Sequence, residues 1–546
     1  MREVLINNTD GKELFYESGR KGYFIGALNG TIPQIGYHIK DRMCGLWFPP
    51  HRILGRLEWY DLKEEPLKFE RFETLPVSRR VVLRNADSAT ILTFLMAENS
   101  KDFRIRVDTV KPLVCRMVLD STRIWDNDVT DHIVPVTHLR EVSDGLEFEV
   151  EGFIYRISTF GGRVLIGKDM NLSWVLDGSG ELRISDVNAS YSSFRDVLSI
   201  KERSRQNQTI GIFRIRRWVK NMLYDFVMDT EKGSAVVAGF PEYPWWFGVD
   251  IYFTGLALLL LDVPGLALSS FKTLMEFLVD GVVPHEVNLD GRVIFSGRPL
   301  ESLLQADLLL KLAPFVSTPG ELREYFYLLH KAGNRFLNAS RYPKGSGFVE
   351  LPELEGEEVI TLDNAVAAFV FAKSMYHLAK ALGFTKLSRE YEGMIRWYEF
   401  NFFRDWYDPE QGIFKEVLGG NKLKGITFNQ VFPLVYRLVD SDTAKTVWES
   451  LHRKGLITHH GLKHSLSLGK NEGYYGNKDE KVWWIANALL KMASRNYGLP
   501  IRYDLDSLFE EDLFSKGMPG VIPEIVGQKD GCFAQAWSAL YAPFIG

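Results

Sequence analysis

Two different periods run along this chain. Over roughly the first 200 residues, apolar and polar positions alternate in segments such as SRRVVLRNA, TILTFLMAE, FRIRVDTVKP, LEFEVEGFIYRIST and GRVLIG, each broken by Asp, Asn or Gly. A period of two belongs to strands with one buried face. Strands this frequent, with no helical pattern between them, predict an antiparallel β-sandwich, placed here over residues 1–205. Between Arg195 and Lys220 the chain carries eight basic and two acidic residues. A nucleic-acid arm and a solvated linker both fit that composition. The linker is the better reading, because Ile212, Phe213, Ile215, Val219 and Leu223 already fall at helical spacing.

From there the period is helical. Helices are expected at roughly 212–229, 249–262, 266–280, 299–313, 318–335, 362–382, 386–403, 427–439, 441–453, 480–497, 504–515 and 532–544. Long connections (230–248, 281–298, 336–361, 404–426, 454–479 and 516–531) alternate with mostly short turns. Twelve helices in six hairpins, with the long loops on one side and the tight turns on the other, predict a closed double ring of helices, an (α/α)6 barrel, over 206–546. Long loops gathered at one mouth make a natural site. No short repeat of solenoid type is present.

Composition narrows the function. The chain has 546 residues, with 65 Lys plus Arg against 70 Asp plus Glu, a net charge of −5. That is not the basic footprint of a general nucleic-acid binder. Cys44, Cys115 and Cys532 lie far apart without CxxC spacing, which predicts neither a disulfide framework nor a zinc site. The first twenty residues have no apolar signal core, and the most apolar stretch, Thr254 to Leu261, is far short of the ~20 residues that span a bilayer. These features predict a soluble cytoplasmic protein with no membrane partner. Aromatic residues reach 13%, a surplus that suits large cores and also platforms for sugar rings.

Four constellations fall in or beside the long loops. In Tyr243-Pro-Trp-Trp-Phe-Gly-Val-Asp250, the adjacent Trp245 and Trp246 beside a carboxylate suit a pyranose, which stacks on indole while carboxylate oxygens accept hydroxyl protons. Equally, Asp250 caps a helix and the tryptophans are core. In Arg341-Tyr-Pro-Lys-Gly-Ser-Gly-Phe-Val-Glu350, a Gly-rich turn and two apolar residues set Glu350 in a partly desolvated place, and desolvation raises a carboxyl pKa as a general acid requires. The run Glu353, Glu355, Glu357 and Glu358 reads as a solvated loop without the spacing of a calcium loop, and Asp363 as an N-cap. His459, His460 and His464 lack HExxH or paired helical spacing, so no metal is expected. Glu524, in PEIVGQKDGCFAQAWS, lies on the last long loop. Ring closure brings that loop back beside the first ones, so Glu350 and Glu524 face one cavity as the carboxylate pair of glycoside hydrolysis. No GxGxxG after a strand, P-loop or GxSxG elbow offers a competing chemistry.

At these residues the chain resembles the glycogen-debranching enzymes of the amylo-α-1,6-glucosidase type, members of the six-hairpin glycosidases. The resemblance runs in order through GYFIG (22–26), Asn29-Gly30, GLWFPP (45–50), YPWWFGVD, VVPHEVNLDG, ITFNQVFPL, GLKHSLSL and the C-terminal PEIVGQKDGCFAQAWS, the most specific match. It implies a base at Glu524 and an acid at Glu350, the carboxylate that follows two apolar residues after the fifth helix. It also implies a sugar held by Trp245, Trp246, Asp250, Glu301 and Trp537. Four positions depart from the family pattern. Val249 replaces an Arg before Asp250, and Glu350 stands where Asp is typical. Arg298 and Glu301 stand where Asn-x-x-Asp-Ala is usual, and Asp479-Glu480-Lys481 replaces a His-Gln-Gly-like run.

The expected function is therefore that of a cofactor-free O-glycosyl hydrolase. It would act by inversion on a terminal α-linked sugar of an oligosaccharide or glycogen-like dextrin, with amylo-α-1,6-glucosidase-like activity the leading specificity. A phosphorolytic enzyme of the same barrel class is one alternative. A non-catalytic carbohydrate-binding protein with a degenerate site, motivated by Val249 and 479–481, is the other.

Overall fold

The computed structural model describes residues 4–7, 9–75, 78–85, 88–125, 132–143, 145–167, 170–189, 193–198, 214–339, 350–351, 359–418, 425–467, 474–515, 518–527 and 531–545. Among them, sixteen strands between Val4 and Asp186 form a nine-stranded and a seven-stranded sheet, all neighbours antiparallel. The alternation is literal in the strand Leu113–Leu119, where Leu113, Cys115, Met117 and Leu119 are buried and the residues between them are half-exposed. Cys115 pairs with Trp59 on one side and Trp174 on the other, so the inward faces meet as one apolar layer.

The remainder is helical: α1 (Arg214–Asp225), α2 (Gly248–Leu260), α3 (Pro264–Met275), α4 (Pro299–Leu312), α5 (Pro319–Ala339), α6 (Leu362–Ala381), α7 (Thr385–Trp406), α8 (Phe432–Val435, extending a 3₁₀ turn from Phe428), α9 (Ser441–Lys454), α10 (Trp484–Tyr497), α11 (Leu505–Ser515) and a final 3₁₀ helix, Trp537–Phe544. Contacts run from α2 to α4, α6, α8 and α10 in turn, and the final helix touches both α10 and α2. That closes an inner ring. The other helices lie outside it, so the (α/α)6 arrangement expected from loop lengths is the one observed.

Composition follows position. Inner helix α2, GVDIYFTGLALLL, is buried on nearly every side, as befits a helix packed all round. Outer helix α7, TKLSREYEGMIRWYEFNFFRDW, is strongly amphipathic. Inner neighbours come close at Gly255 of α2, where a Cβ would lie 2.9 Å from the Leu308 side chain of α4. Several helix ends lie a few residues from expectation, and two of the shifts have a clear local cause. The eighth is shorter than 427–439 because Arg437 adopts a left-handed backbone (φ 54°) just beyond it. The last starts at Trp537 rather than 532 because Ala534–Gln535 pairs as a strand with Gly239–Phe240. No helix among the described residues is long and apolar enough to cross a membrane.

That strand pair also joins the two halves. Phe240 is wholly buried, packed 5.6 Å from Tyr16 and 4.9 Å from Tyr23 of the sandwich and 4.9 Å from Phe226 after α1. Tyr16 and Ser18 of the sandwich donate to the side chain and backbone of Asp225. One continuous apolar core therefore spans both halves. Phe240→Ala would leave a cavity at this junction and should lower stability by about 3–5 kcal/mol. Chemical denaturation checks this, and a loss under ~1 kcal/mol would show that the two halves do not depend on the junction.

Candidate active site

The long connections all lead from outer to inner helices, so the inner helices present their N-termini to one mouth. Carboxylates occupy the first turns there: Asp250 in α2, Glu301 in α4 and Asp363 in α6. The positive end of a helix favours negative charge at these places.

Glu524 sits in the loop before the final helix, only 1% exposed. Its backbone is clamped, with its N–H donating to Cys532 O (2.9 Å) and its carbonyl accepting from Trp484 N (3.0 Å). Its carboxylate accepts from three donors on two loops. Oε1 receives the Tyr475 hydroxyl (2.7 Å) and Trp483 Nε1 (3.0 Å), and Oε2 receives Cys532 N (2.9 Å). Tyr243 Oη lies 2.9 Å from Tyr475 Oη, extending the network. Burial pushes the Glu524 pKa up, while those donors and the nearby Lys478 hold it back.

Asp250 shares this environment. Gln535 Nε2 donates to its Oδ1 at 3.0 Å. Burial and then the Glu524 charge push its pKa up to about 8, with His285 opposing. His285 bridges two acids, its Nδ1 at 2.6 Å from Glu301 Oε1 and its Nε2 at 3.6 Å from Glu286 Oε1. Burial works against its protonation, but the two carboxylates leave its pKa raised. Burial also raises Glu286 and lifts Glu416 to about 7, although Thr427 and Gln430 donate to that carboxylate. Buried acceptors thus gather at this end of the ring, and such carboxylate oxygens can accept protons from hydroxyl groups.

The other predicted residues fall as follows. Trp246 is fully buried, its Nε1 donating to Ala235 O (3.1 Å) and its ring against Phe277. Trp245 is also fully buried, stacked 5.3 Å from Trp125 and donating to Glu286 Oε2 (3.0 Å). Neither indole has a face open to a sugar, so the aromatic platform expected at this pair is a core element, filled by protein contacts on all sides. Glu301 is 2% exposed, and its oxygens are engaged by Arg298 N (2.8 Å) and His285. Trp537 is half-buried, edge-on to Phe253. Of Glu350 only the backbone is described, in a two-residue strand opposite Val359–Ile360. Residues 352–358, which carry the acidic run, lie outside the described residues.

Several site residues were not singled out from the sequence. Tyr475 and Trp483 flank Asp479-Glu480-Lys481, and no spacing there marks them. The sandwich contributes Tyr37, His38 and Trp125, over a hundred residues from the barrel loops they touch, and no local signal marked them. His38 and Tyr37 bind Glu242, and Trp125 covers Trp245.

The fold has solved counterparts. A bacterial glucoamylase in complex with acarbose matches 100% of this chain and 94% of its own, with TM-score 0.70 and 11% identity. A GH63 mannosylglycerate hydrolase from Thermus thermophilus, in complex with Tris and D-glycerate, matches 60% of this chain and 99% of its own, with TM-score 0.47 and 18% identity. In complex with glucose, the corresponding values are 61%, 99%, 0.48 and 16%. No protein-family model and no curated protein matches the sequence. At 11% identity, the likeness to the glucoamylase shows a shared fold over the whole chain.

The raised Asp250 pKa has a consequence for stability. Between about pH 4, where an unfolded Asp titrates, and about pH 8, the folded state holds a proton that the unfolded state has lost. Stability from this group is therefore full below that window and is lost as pH rises through it. Asp250→Asn keeps the Gln535 contact without the charge. Its melting temperature should fall less than the parent's between about pH 5 and about pH 9, by several degrees. Parallel pH profiles for the two proteins would contradict the buried-acid assignment.

Proposed function

We propose that the protein is an inverting glycoside hydrolase that removes a terminal α-linked sugar from an oligosaccharide or glycogen-like dextrin, with an α-1,6-glucosidase-like preference. The observation that carries this reading is the Glu524 carboxylate, buried at the mouth of a closed helical ring and aimed by three donors. The same overall fold occurs in a glucoamylase solved with acarbose, which supports a glycan substrate.

In this reading Glu524 is the base. It takes a proton from water as the water oxygen attacks the anomeric carbon, and Glu350 gives a proton to the glycosidic oxygen as the C–O bond breaks on the opposite face. Support for Glu350 comes from the sequence resemblance and from its backbone pairing just ahead of inner helix α6. Asp250, with its neighbours Gln535, Glu286 and Glu301, supplies acceptors for sugar hydroxyls. Trp537 lines the same mouth, Trp245 positions Glu286, and Trp246 acts only through packing. The excess of buried carboxylates disfavours phosphate as the nucleophile. A site built this closely around one carboxylate also speaks against a degenerate binding protein.

A reducing-end assay over α- and β-linked oligosaccharides, including limit dextrin, with and without phosphate, tests the reading. Phosphate-independent release from α-linked substrates, with the β-anomer formed first, is the expected result. Release of a sugar phosphate, or no release from any substrate, would overturn it. Glu524→Gln should cut kcat by ~10²–10⁴-fold on natural substrate and glycosyl fluoride alike, whereas Glu350→Gln should spare the fluoride. Because the Glu524 pKa is raised, the acidic limb of kcat/KM should lie above the ordinary carboxylate pKa of ~4.3. Tyr475→Phe removes a donor to the ionised form, so the limb should move to still higher pH. An unmoved limb would show that another group controls it.

A further inference from the structure

The sandwich reaches the barrel mouth through Tyr37 and His38. Both are gripped by Glu242, a barrel-side carboxylate only 3% exposed. It accepts Tyr37 N at 3.1 and 3.2 Å, His38 N at 3.3 Å and His38 Nδ1 at 3.1 Å. The His38 ring is then wedged against Tyr243, Trp125 and Trp245, with centroids 4.9, 5.4 and 5.6 Å away. The backbone of this loop tip is therefore held hard against the barrel.

Yet the Tyr37 side chain is 56% exposed. Its ring lies 5.2 Å from Tyr474, whose ring is 4.9 Å from Tyr475, whose hydroxyl reaches Glu524. Tyr474 and Tyr475 are themselves partly exposed. A continuous aromatic wall thus leads from the buried carboxylate to solvent, and its outermost ring belongs to the other half of the molecule. A large aromatic left exposed on an immobilised backbone is a preorganised contact, since binding to it costs little further ordering.

The inner helices pack against one another all the way round the ring. With the reacting sugar beside Glu524, this wall offers the rest of a glycan an aromatic path outward. We propose that Tyr37 stacks on the leaving-group portion of the substrate, so that the sandwich selects an oligosaccharide over a glycoside with a small leaving group. This rests on the glycosidase reading above.

The test compares kcat/KM on a linear oligosaccharide of three or more sugars with that on the matching glycosyl fluoride, for the parent, Tyr37→Ala and Tyr37→Phe. Tyr37→Ala should lower the oligosaccharide-to-fluoride ratio ~5–10-fold, chiefly through KM, as loss of about one aromatic contact implies. Tyr37→Phe, which keeps the ring, should hold the ratio within about twofold. An unchanged ratio for Tyr37→Ala overturns the proposal. If the parent cleaves no substrate, the glycosidase reading fails instead. Oligosaccharide binding, followed by intrinsic tryptophan fluorescence, then decides the wall: ~5–10-fold weaker binding by Tyr37→Ala supports it, and equal or absent binding overturns it.

Discussion

Burying the Glu524 carboxylate is the constraint on which the mouth of this barrel depends. A carboxylate that is 1% exposed is tolerable only with its oxygens satisfied, because a buried charge without partners is among the costliest features a fold can carry. Its three donors come from 475, 483 and 532, so the loop before α10 and the loop before the final helix must meet around it. The second of these continues into Ala534–Gln535, which pairs with Gly239–Phe240, and that pairing sets Phe240 among Tyr16, Tyr23 and Phe226. Satisfying one side chain, closing the ring and docking the sandwich are therefore successive consequences of one local geometry.

The electrostatics of the site follow from the same closure. Parallel inner helices turn their positive ends to one mouth, where Asp250, Glu301 and Asp363 collect. His285 lies between Glu301 and Glu286, while Val249 stands beside Asp250. With no arginine at that position, Asp250 meets an amide, Gln535, instead of a guanidinium, and burial together with the Glu524 charge lifts its pKa to about 8. Near neutrality this group can donate a hydrogen bond, which an arginine-paired carboxylate could not do.

The sandwich is more than a support. Trp125 lies parallel to Trp245, which in turn holds Glu286, and Arg123 forms an ion pair with Asp290 on the barrel. Glu242 binds two consecutive sandwich residues. Removing the sandwich would uncover aromatic rings that the barrel loops cannot cover by themselves, so the mouth is a product of both halves.

Sequence alone was enough for the architecture, because the two periods of two and 3.6 and the alternation of long and short connections are local properties. They placed the sandwich, the hairpins and the ring, and they put Glu524 on the loop that closes it. The errors were local too: Arg437 and the Ala534–Gln535 pairing shortened two helices. What a residue does at the mouth was not local. Trp245 and Trp246 share the composition of a sugar platform, but tertiary contacts cover both indoles. Glu301 is held by Arg298 N and His285, partners that no local pattern marked. Tyr37, His38 and Trp125 were invisible because their partners lie from over a hundred to more than four hundred residues away. Periodicity reports which face of an element is buried, whereas only the closed ring and the docked sandwich decide which buried groups surround a cavity and which ring is left open to meet a ligand.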